Sequence, residues 1–179
     1  AKIESIYRSY NLHEYKDFKG KKVLDVGCGN GYVLSHYKKE GASVYGIDVT
    51  EAAIKLSKKR FEINKQNGNF SIQNAEMLNF EDDYFDCVCS MGVLHHVPDT
   101  KKAISEIYRV LKPGGRVILM FYHKNSLKYQ WNFRIQSLIY KKPIDQIARE
   151  FDGPNNPKGD TDSKIELLNF LKSFTAIKL

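Results

Sequence analysis

With 179 residues, 42% of them hydrophobic and 27% charged, the chain is sized and composed for one globular domain with a sizeable core. No apolar run approaches the ~20 residues of a membrane helix, no signal-peptide pattern opens the chain, and three cysteines without a CxxC spacing argue against a disulfide framework or a metal centre, so a reducing, cytoplasmic setting is expected. The net charge of +7 is lopsided: residues 1–100 carry −1 and residues 101–179 carry +8, which reads either as plain solubility or as attraction for an anionic partner such as nucleic acid, a phosphorylated metabolite or a lipid headgroup.

In chain order, Tyr7, Tyr10, Leu12 and Tyr15 stand at loosely helical spacing and predict an amphipathic helix over Ile3 to Tyr15. The run Val23-Leu24-Asp25-Val26 is apolar and β-branched around one acid, and it leads into Gly27-Cys28-Gly29-Asn30-Gly31-Tyr32. That order reads strand, tight turn, helix. Side chains at the three glycines would block left-handed backbone or keep a ligand off the main chain, so the turn reads as a cradle at a helix N-terminus, with Cys28 as a small filler. A pyrophosphate is not the expected ligand. The third glycine comes one residue early for GxGxxG, Tyr32 stands where that fingerprint has glycine, and Asp25 would repel a phosphate, so an NAD-dependent dehydrogenase is expected to fail. A cationic group suits Asp25. Ser43 to Ile47 reads as a second strand leading to Asp48, where an acid can accept from both hydroxyls of a ribose. A cationic group and a ribose together suggest S-adenosylmethionine.

The helix from Tyr32 should stop at Gly41. Thr50 should cap a second helix, in which Ala52, Ala53, Leu56 and Ile63, with Lys59 and Arg60, form one stripe. Asn67-Gly68 turns out of it, and Phe70 to Ile72 alternates as a third strand. Glu81-Asp82-Asp83 reads as a solvated turn before a fourth strand, Phe85 to Ser90, on which Cys87 and Cys89 share a core face. Asp99 should cap a helix carrying Ala103, Ile104, Ile107 and Leu111, ended by Lys112-Pro113-Gly114-Gly115. The apolar run within Arg116 to Tyr122 predicts a fifth strand buried on both faces. Strands alternating with helices predict an α/β fold: a Rossmann-like open, mostly parallel sheet with helices on both faces. Its ligand should sit beyond the carboxyl ends of the strands, where strand order reverses, and Asp25, Asp48 and Asn74 fall at such ends.

VLDVGCGNGY and VYGIDVT, followed by NAEMLNFEDDYFDCVCSMGVLHHVPD and LKPGG, resemble in order the shared motifs of the class I S-adenosylmethionine-dependent methyltransferases (methyltransferase type 11-like) from Gly20 to Tyr122. The resemblance implies the seven-strand methyltransferase fold, S-adenosylmethionine as cofactor with S-adenosylhomocysteine as its product, no metal, and methyl transfer to a small molecule, for which an anionic one would match the charge. Carried over position by position, it makes Asp25, Gly27, Cys28, Gly29, Gly31, Asp48, Val49, Asn74, Ala75, Glu76, Ser90 and Met91 cofactor contacts. Asn74 stands where the family usually has Asp, and its amide still offers an acceptor to the adenine amino group. Val49 and Met77 would sandwich the adenine, Met77 reading equally as core, and Ser90 to Gly92 would lie beside the methionine end. His95, His96 and His123 are candidate general bases, although the histidine pair recurs in relatives with unrelated substrates, which points to a shaping role.

The resemblance also divides the chain: a cap helix over 1–19 that would bring a Tyr or Arg8 near the cofactor carboxylate or simply pack on the sheet, a cofactor-binding core over 20–123, a lid or substrate-side insertion over 124–162, and a last helix and strand over 163–179. Tyr122 and His123 are expected substrate contacts, as is Trp131 in a stretch of interleaved aromatic and basic residues that reads as lid, core helix or nucleic-acid surface. Ser163 and Glu166 have capping-box spacing for the last helix, and Phe174 to Ile177 reads as a sixth strand. No candidate for the family's antiparallel seventh strand follows, which leaves a sheet edge through which a dimer could pair. Methylation of an RNA or protein, and a non-catalytic S-adenosylmethionine-binding module, stay open as alternatives.

Overall fold

The computed structural model describes residues 12–121, 134–143, 146–147, 168–169 and 171–174. Strands and helices alternate as β1 (Lys22–Val26), α1 (Tyr32–Lys39), β2 (Ser43–Asp48), α2 (Glu51–Ile63), β3 (Asn69–Ile72), β4 (Phe85–Met91), α3 (Thr100–Val110), β5 (Leu111–Met120) and α4 (Arg134–Tyr140). The described strands pair in the order β3-β2-β1-β4-β5, all parallel. Strand order reverses between β1 and β4, and the crevice at their carboxyl ends is where this topology accepts a ligand.

Period-two alternation along the strands builds two cores. Leu24 and Val26 of β1, Ile47 of β2 and Val88 of β4 pack under Ala103, Ile104, Ile107 and Val110 of α3. Val23, Val44, Cys87 and Cys89 point the other way, against Leu34 and Tyr37 of α1 and Ile54 and Phe61 of α2. The two strand cysteines therefore do share one buried face. Helix ends follow the sequence signals. Gly41, at φ +94°, ends the turn after α1, Thr50 accepts from Ala53 N–H (3.3 Å) to cap α2, and Asp99 accepts from Lys102 N–H (3.0 Å) to cap α3.

Three expectations need correction. The stripe predicted for α2 faces solvent: Leu56 and Ile63 are 58% and 70% exposed, while Ile54, Ser57 and Phe61 face the sheet. The helix packs close to the glycine turn, so a small Ser57 between two large apolar residues makes the better contact face. Second, pairing of β5 starts before Arg116. Leu111 lies opposite Phe85, Lys112-Pro113-Gly114-Gly115 loop out, and pairing resumes with Arg116 opposite Cys87. Third, β5 is not buried on both faces. In the run from Val117 to Phe121 only Ile118 is buried and Met120 is 38% exposed, because β5 is the edge of the described sheet.

Residues 1–11 of the expected cap helix, Arg8 among them, lie outside the described residues. Tyr15–Phe18 is a 3-10 turn with both aromatic rings buried edge-on against Tyr37. Of the expected sixth strand only Phe174 is described, and it meets Tyr108 of α3 edge-on at 5.3 Å. No described helix is long and apolar enough to cross a membrane.

Candidate functional site

β1 delivers the chain to the crevice, and the turn after it is left-handed at Gly27 (φ +77°), Gly29 (+52°) and Gly31 (+71°). A Cβ on Gly27 would strike Val93 and one on Gly31 would strike Ser57, but one on Gly29 would meet nothing within 4 Å. The turn is thus packed at its ends and open in its middle, where a ligand can lie against the backbone. The Gly29 peptide is held on both sides. Its N–H donates to Asp48 Oδ2 (3.1 Å), and its carbonyl accepts from Ser57 Oγ of α2 (2.9 Å). One turn further along α2, Arg60 Nε donates to Asn30 O (2.8 Å). Not every N–H here waits for a ligand: Gly27 and Cys28 donate to Ile47 O, and the first N–H of α1, from Tyr32, goes to Asn30 Oδ1 (3.1 Å). Cys28 is buried, with Sγ 3.6 Å from Ser57 Oγ, and burial pushes its thiol up to about 12, which suits filling rather than reactivity.

Two acids stand at the ends of neighbouring strands. Asp25 of β1 is 3% exposed, and its Oδ1 has no hydrogen-bond partner. Burial pushes its carboxyl up to about 7, against a hydrogen bond with the Cys89 thiol and with the charge of Asp48 adding to the rise. A buried oxygen without a donor is costly, and a cationic group brought beside it would relieve that cost. Asp48 ends β2 at the rim, where its Oδ1 accepts from both the N–H (3.0 Å) and the hydroxyl (2.9 Å) of Thr50.

The segment after β3 is folded on itself. Asn74 Oδ1 accepts from Glu76 N–H (2.9 Å), and Asn74 O accepts from Met77 N–H (3.0 Å). Ala75 is buried, whereas Val49 and Met77 are 68% and 74% exposed, so Met77 is not a core residue. The Glu76 carboxylate accepts from Asp99 N–H (2.8 Å). Further on, Leu78 N–H donates to Glu106, and Arg109 donates to Leu78 O, Phe80 O, Glu106 and Asp82, so the acidic turn at Asp82 has a partner in α3.

At the end of β4, Ser90 is fully buried and its hydroxyl stitches the strand to Val26 O (2.9 Å), while Met91 is half-buried. His95 and His96 stand on the 3-10 turn Leu94–His96 with ring centroids 3.9 Å apart, the first buried and the second half-buried. Tyr122, His123 and Trp131 lie outside the described residues. The supporting side chains Ser57, Arg60, Glu106 and Arg109 escaped the sequence reading. Nothing in a polar residue on an amphipathic helix distinguishes a partner in a distant turn from a partner in water.

Residues 24–119 match a family profile described as a methyltransferase domain. The chain is similar to the ubiquinone biosynthesis O-methyltransferase of Coxiella burnetii, 37% identical over 111 residues that make up 62% of this chain and 47% of that protein. It is similar to phosphoethanolamine N-methyltransferase 2 of Caenorhabditis elegans, 37% identical over an alignment of 143 residues that covers 76% of this chain and 33% of that one. Among solved structures, an S-adenosylmethionine-dependent methyltransferase of Methanosarcina mazei shares the fold, with a TM-score of 0.70 at 24% identity, over 93% of this chain and 82% of that one. The chain spans less than half the length of either curated relative.

Proposed function

The chain belongs to the methyltransferase domain family, and on that premise we propose that it is an S-adenosylmethionine-dependent methyltransferase acting on a small molecule. The two relatives named above support a small acceptor, since one is named for ubiquinone biosynthesis and the other for phosphoethanolamine. The observation that carries the cofactor assignment is the unpaired, buried Oδ1 of Asp25 on the strand that leads into the open backbone of Gly29.

The residues fit the cofactor part by part. Asp25 and the glycine turn suit a methionine end with its ammonium group. Asp48 suits the ribose: a carboxylate has about four lone-pair sites and three are engaged, so it would accept one hydroxyl outright and the second only in place of a bond it now holds. Asn74 and Ala75 offer the adenine edge a polar wall, and the exposed Val49 and Met77 offer its faces two apolar side chains. Glycines 27 and 31, Cys28, Ser90 and Met91 would shape the floor. When bound, S-adenosylmethionine supplies an electrophilic sulfonium methyl. The chain then has to hold the acceptor in line and keep water out, which lowers the barrier by positioning. A hydroxyl or amine acceptor must also lose a proton, and the half-buried His96 suits that step better than the fully buried His95.

Calorimetric titration of S-adenosylhomocysteine into the wild type and Asp48→Ala tests the assignment. Binding that the substitution weakens by about tenfold or more is expected, the scale of losing hydrogen bonds to a charged group. A folded wild type that does not bind, or an Asp48→Ala variant that binds equally well, overturns it.

A further inference from the structure

We propose that Glu76 is a positioning residue that fixes the adenine-binding segment to α3, and with it the distance between the adenine end and the His95-His96 turn. The inference rests on the methyltransferase reading. The family resemblance implies that Glu76 is a cofactor contact, but its carboxylate has another partner, the Asp99 N–H at 2.8 Å, 23 residues away. Asp99 is the N-cap of α3, and its own carboxylate is turned into the helix to accept from Lys102 N–H (3.0 Å). Its backbone N–H is therefore the group it offers to the segment after β3.

The bonds form one continuous set. Asn74 Oδ1 holds Glu76 N–H, Asn74 O holds Met77 N–H, and Glu76 Oε1 holds Asp99 N–H. The first two fold Asn74-Ala75-Glu76-Met77 into a closed turn but do not say where that turn stands. Burial of Ala75 holds the floor of the turn, and Glu76 fixes its polar edge by joining it to an element that does not move with it. α3 is anchored by the buried Ala103, Ile104, Ile107 and Val110. The same helix fixes the histidine turn, since Thr100 Oγ in its first turn donates to Leu94 O (3.2 Å). One rigid first turn thus holds both ends of the proposed site: the adenine side through Glu76, and the turn after β4 through Thr100. Ala75 is buried in the same core, and Glu106 and Arg109 pin Leu78 and Phe80 near the other end of the helix, so without Glu76 the chain stays tethered at Ala75 and beyond Leu78 and only the exposed polar edge of the turn is released.

The test uses the full chain with Glu76→Ala and Glu76→Gln. Affinities are measured for S-adenosylhomocysteine and for S-inosylhomocysteine, in which an oxo group replaces the adenine amino group. Glu76→Gln keeps an oxygen for Asp99 N–H and removes the charge. The expected result is a roughly fivefold loss of S-adenosylhomocysteine affinity in Glu76→Ala with little change for the inosyl analogue, and near wild-type values for both in Glu76→Gln, the scale of one hydrogen bond. A merely structural residue would weaken the two ligands alike. Equal losses in Glu76→Gln and Glu76→Ala overturn the inference, because the charge would then act on the ligand directly. An unchanged Glu76→Ala also overturns it, and a wild type that binds neither ligand overturns the methyltransferase reading along with it. If Glu76→Ala does not fold, hydrogen exchange at the Asp99 amide decides. Protection and adenine preference both retained in Glu76→Gln are expected, and preference retained without protection is the overturning result.

Discussion

Asp25 and His13 are both buried titratable groups, and they pull on stability in opposite directions as pH changes. Burial raises Asp25 from 3.8 to about 7, so between those values the folded chain keeps a proton that the unfolded chain has lost. The stability tied to Asp25 is therefore complete below its ordinary value and is lost as pH rises through about 7. Burial lowers His13 from 6.5 to about 4, with the charge of His36 assisting, so its contribution is present above 6.5 and lost as pH falls toward 4. A wild-type stability profile mixes the two slopes, and the difference between wild type and Asp25→Asn isolates one. Asp25→Asn is expected to gain stability relative to wild type as pH rises from about 4 to about 7 in urea unfolding, and a difference that stays flat would mean the carboxyl is ionised and paired. Ligand binding gives the same group a second signature. If an ammonium group lands beside Asp25, S-adenosylhomocysteine should release close to one proton at about pH 6, measured by calorimetry in buffers of different ionisation heat, and Asp25→Asn should abolish the release.

The glycine turn shows how an element is made by its neighbours. Three glycines and an acid at a strand end stand at alternate positions within a few residues, so the tight turn was legible there, and the left-handed backbone at all three glycines agrees with it. The contribution of α2 was not legible. Ser57 and Arg60 look like solvent-facing residues of a basic helix, yet they take the carbonyls of Gly29 and Asn30. The apolar side chains of that helix misled for the same reason. Leu56 and Ile63 satisfy a helical period, but the packed face is set by closeness to the turn, where only a small residue fits beside Gly31. Ser57→Ala tests the arrangement because it keeps the size and removes the donor. A stability loss of about 1 kcal/mol and a several-fold weaker S-adenosylhomocysteine affinity are expected, read by thermal unfolding and calorimetry. An affinity loss without a stability loss would mean that Ser57 touches the ligand itself.

Across the whole molecule, the open parallel sheet was legible because strands alternate with helices, and the reversal of strand order between β1 and β4 falls where the turn and its acids converge. What the sequence could not show are the bonds that join one layer to another, whose partners lie 23 to 31 residues apart and meet only once the sheet exists. Arg109 is the clearest case. From the last turn of α3 its guanidinium donates to Leu78 O and Phe80 O at 2.8 Å each, and it pairs with Glu106 and Asp82 at 2.8 and 2.7 Å. It bolts the connection between β3 and β4 to the helix on that face. The exposed pair with Asp82 adds little, so the two carbonyl bonds and the half-buried Glu106 carry the effect. Arg109→Met keeps most of the apolar stem and removes every donor, and a loss of about 2–4 kcal/mol is expected. Arg109→Lys should recover only part of it, since one ammonium cannot reach two carbonyls and two carboxylates that a planar fork spans. Hydrogen exchange locates the damage. Amides from Leu78 to Tyr84 should exchange faster in Arg109→Met while those of β1 and β2, which pair with each other along the parallel ladder and form no hydrogen bond to Arg109, keep their protection under conditions where global unfolding is negligible. Uniform acceleration across the sheet would instead mean that the connection and the sheet unfold as one unit, and that Arg109 supports the whole fold rather than this junction.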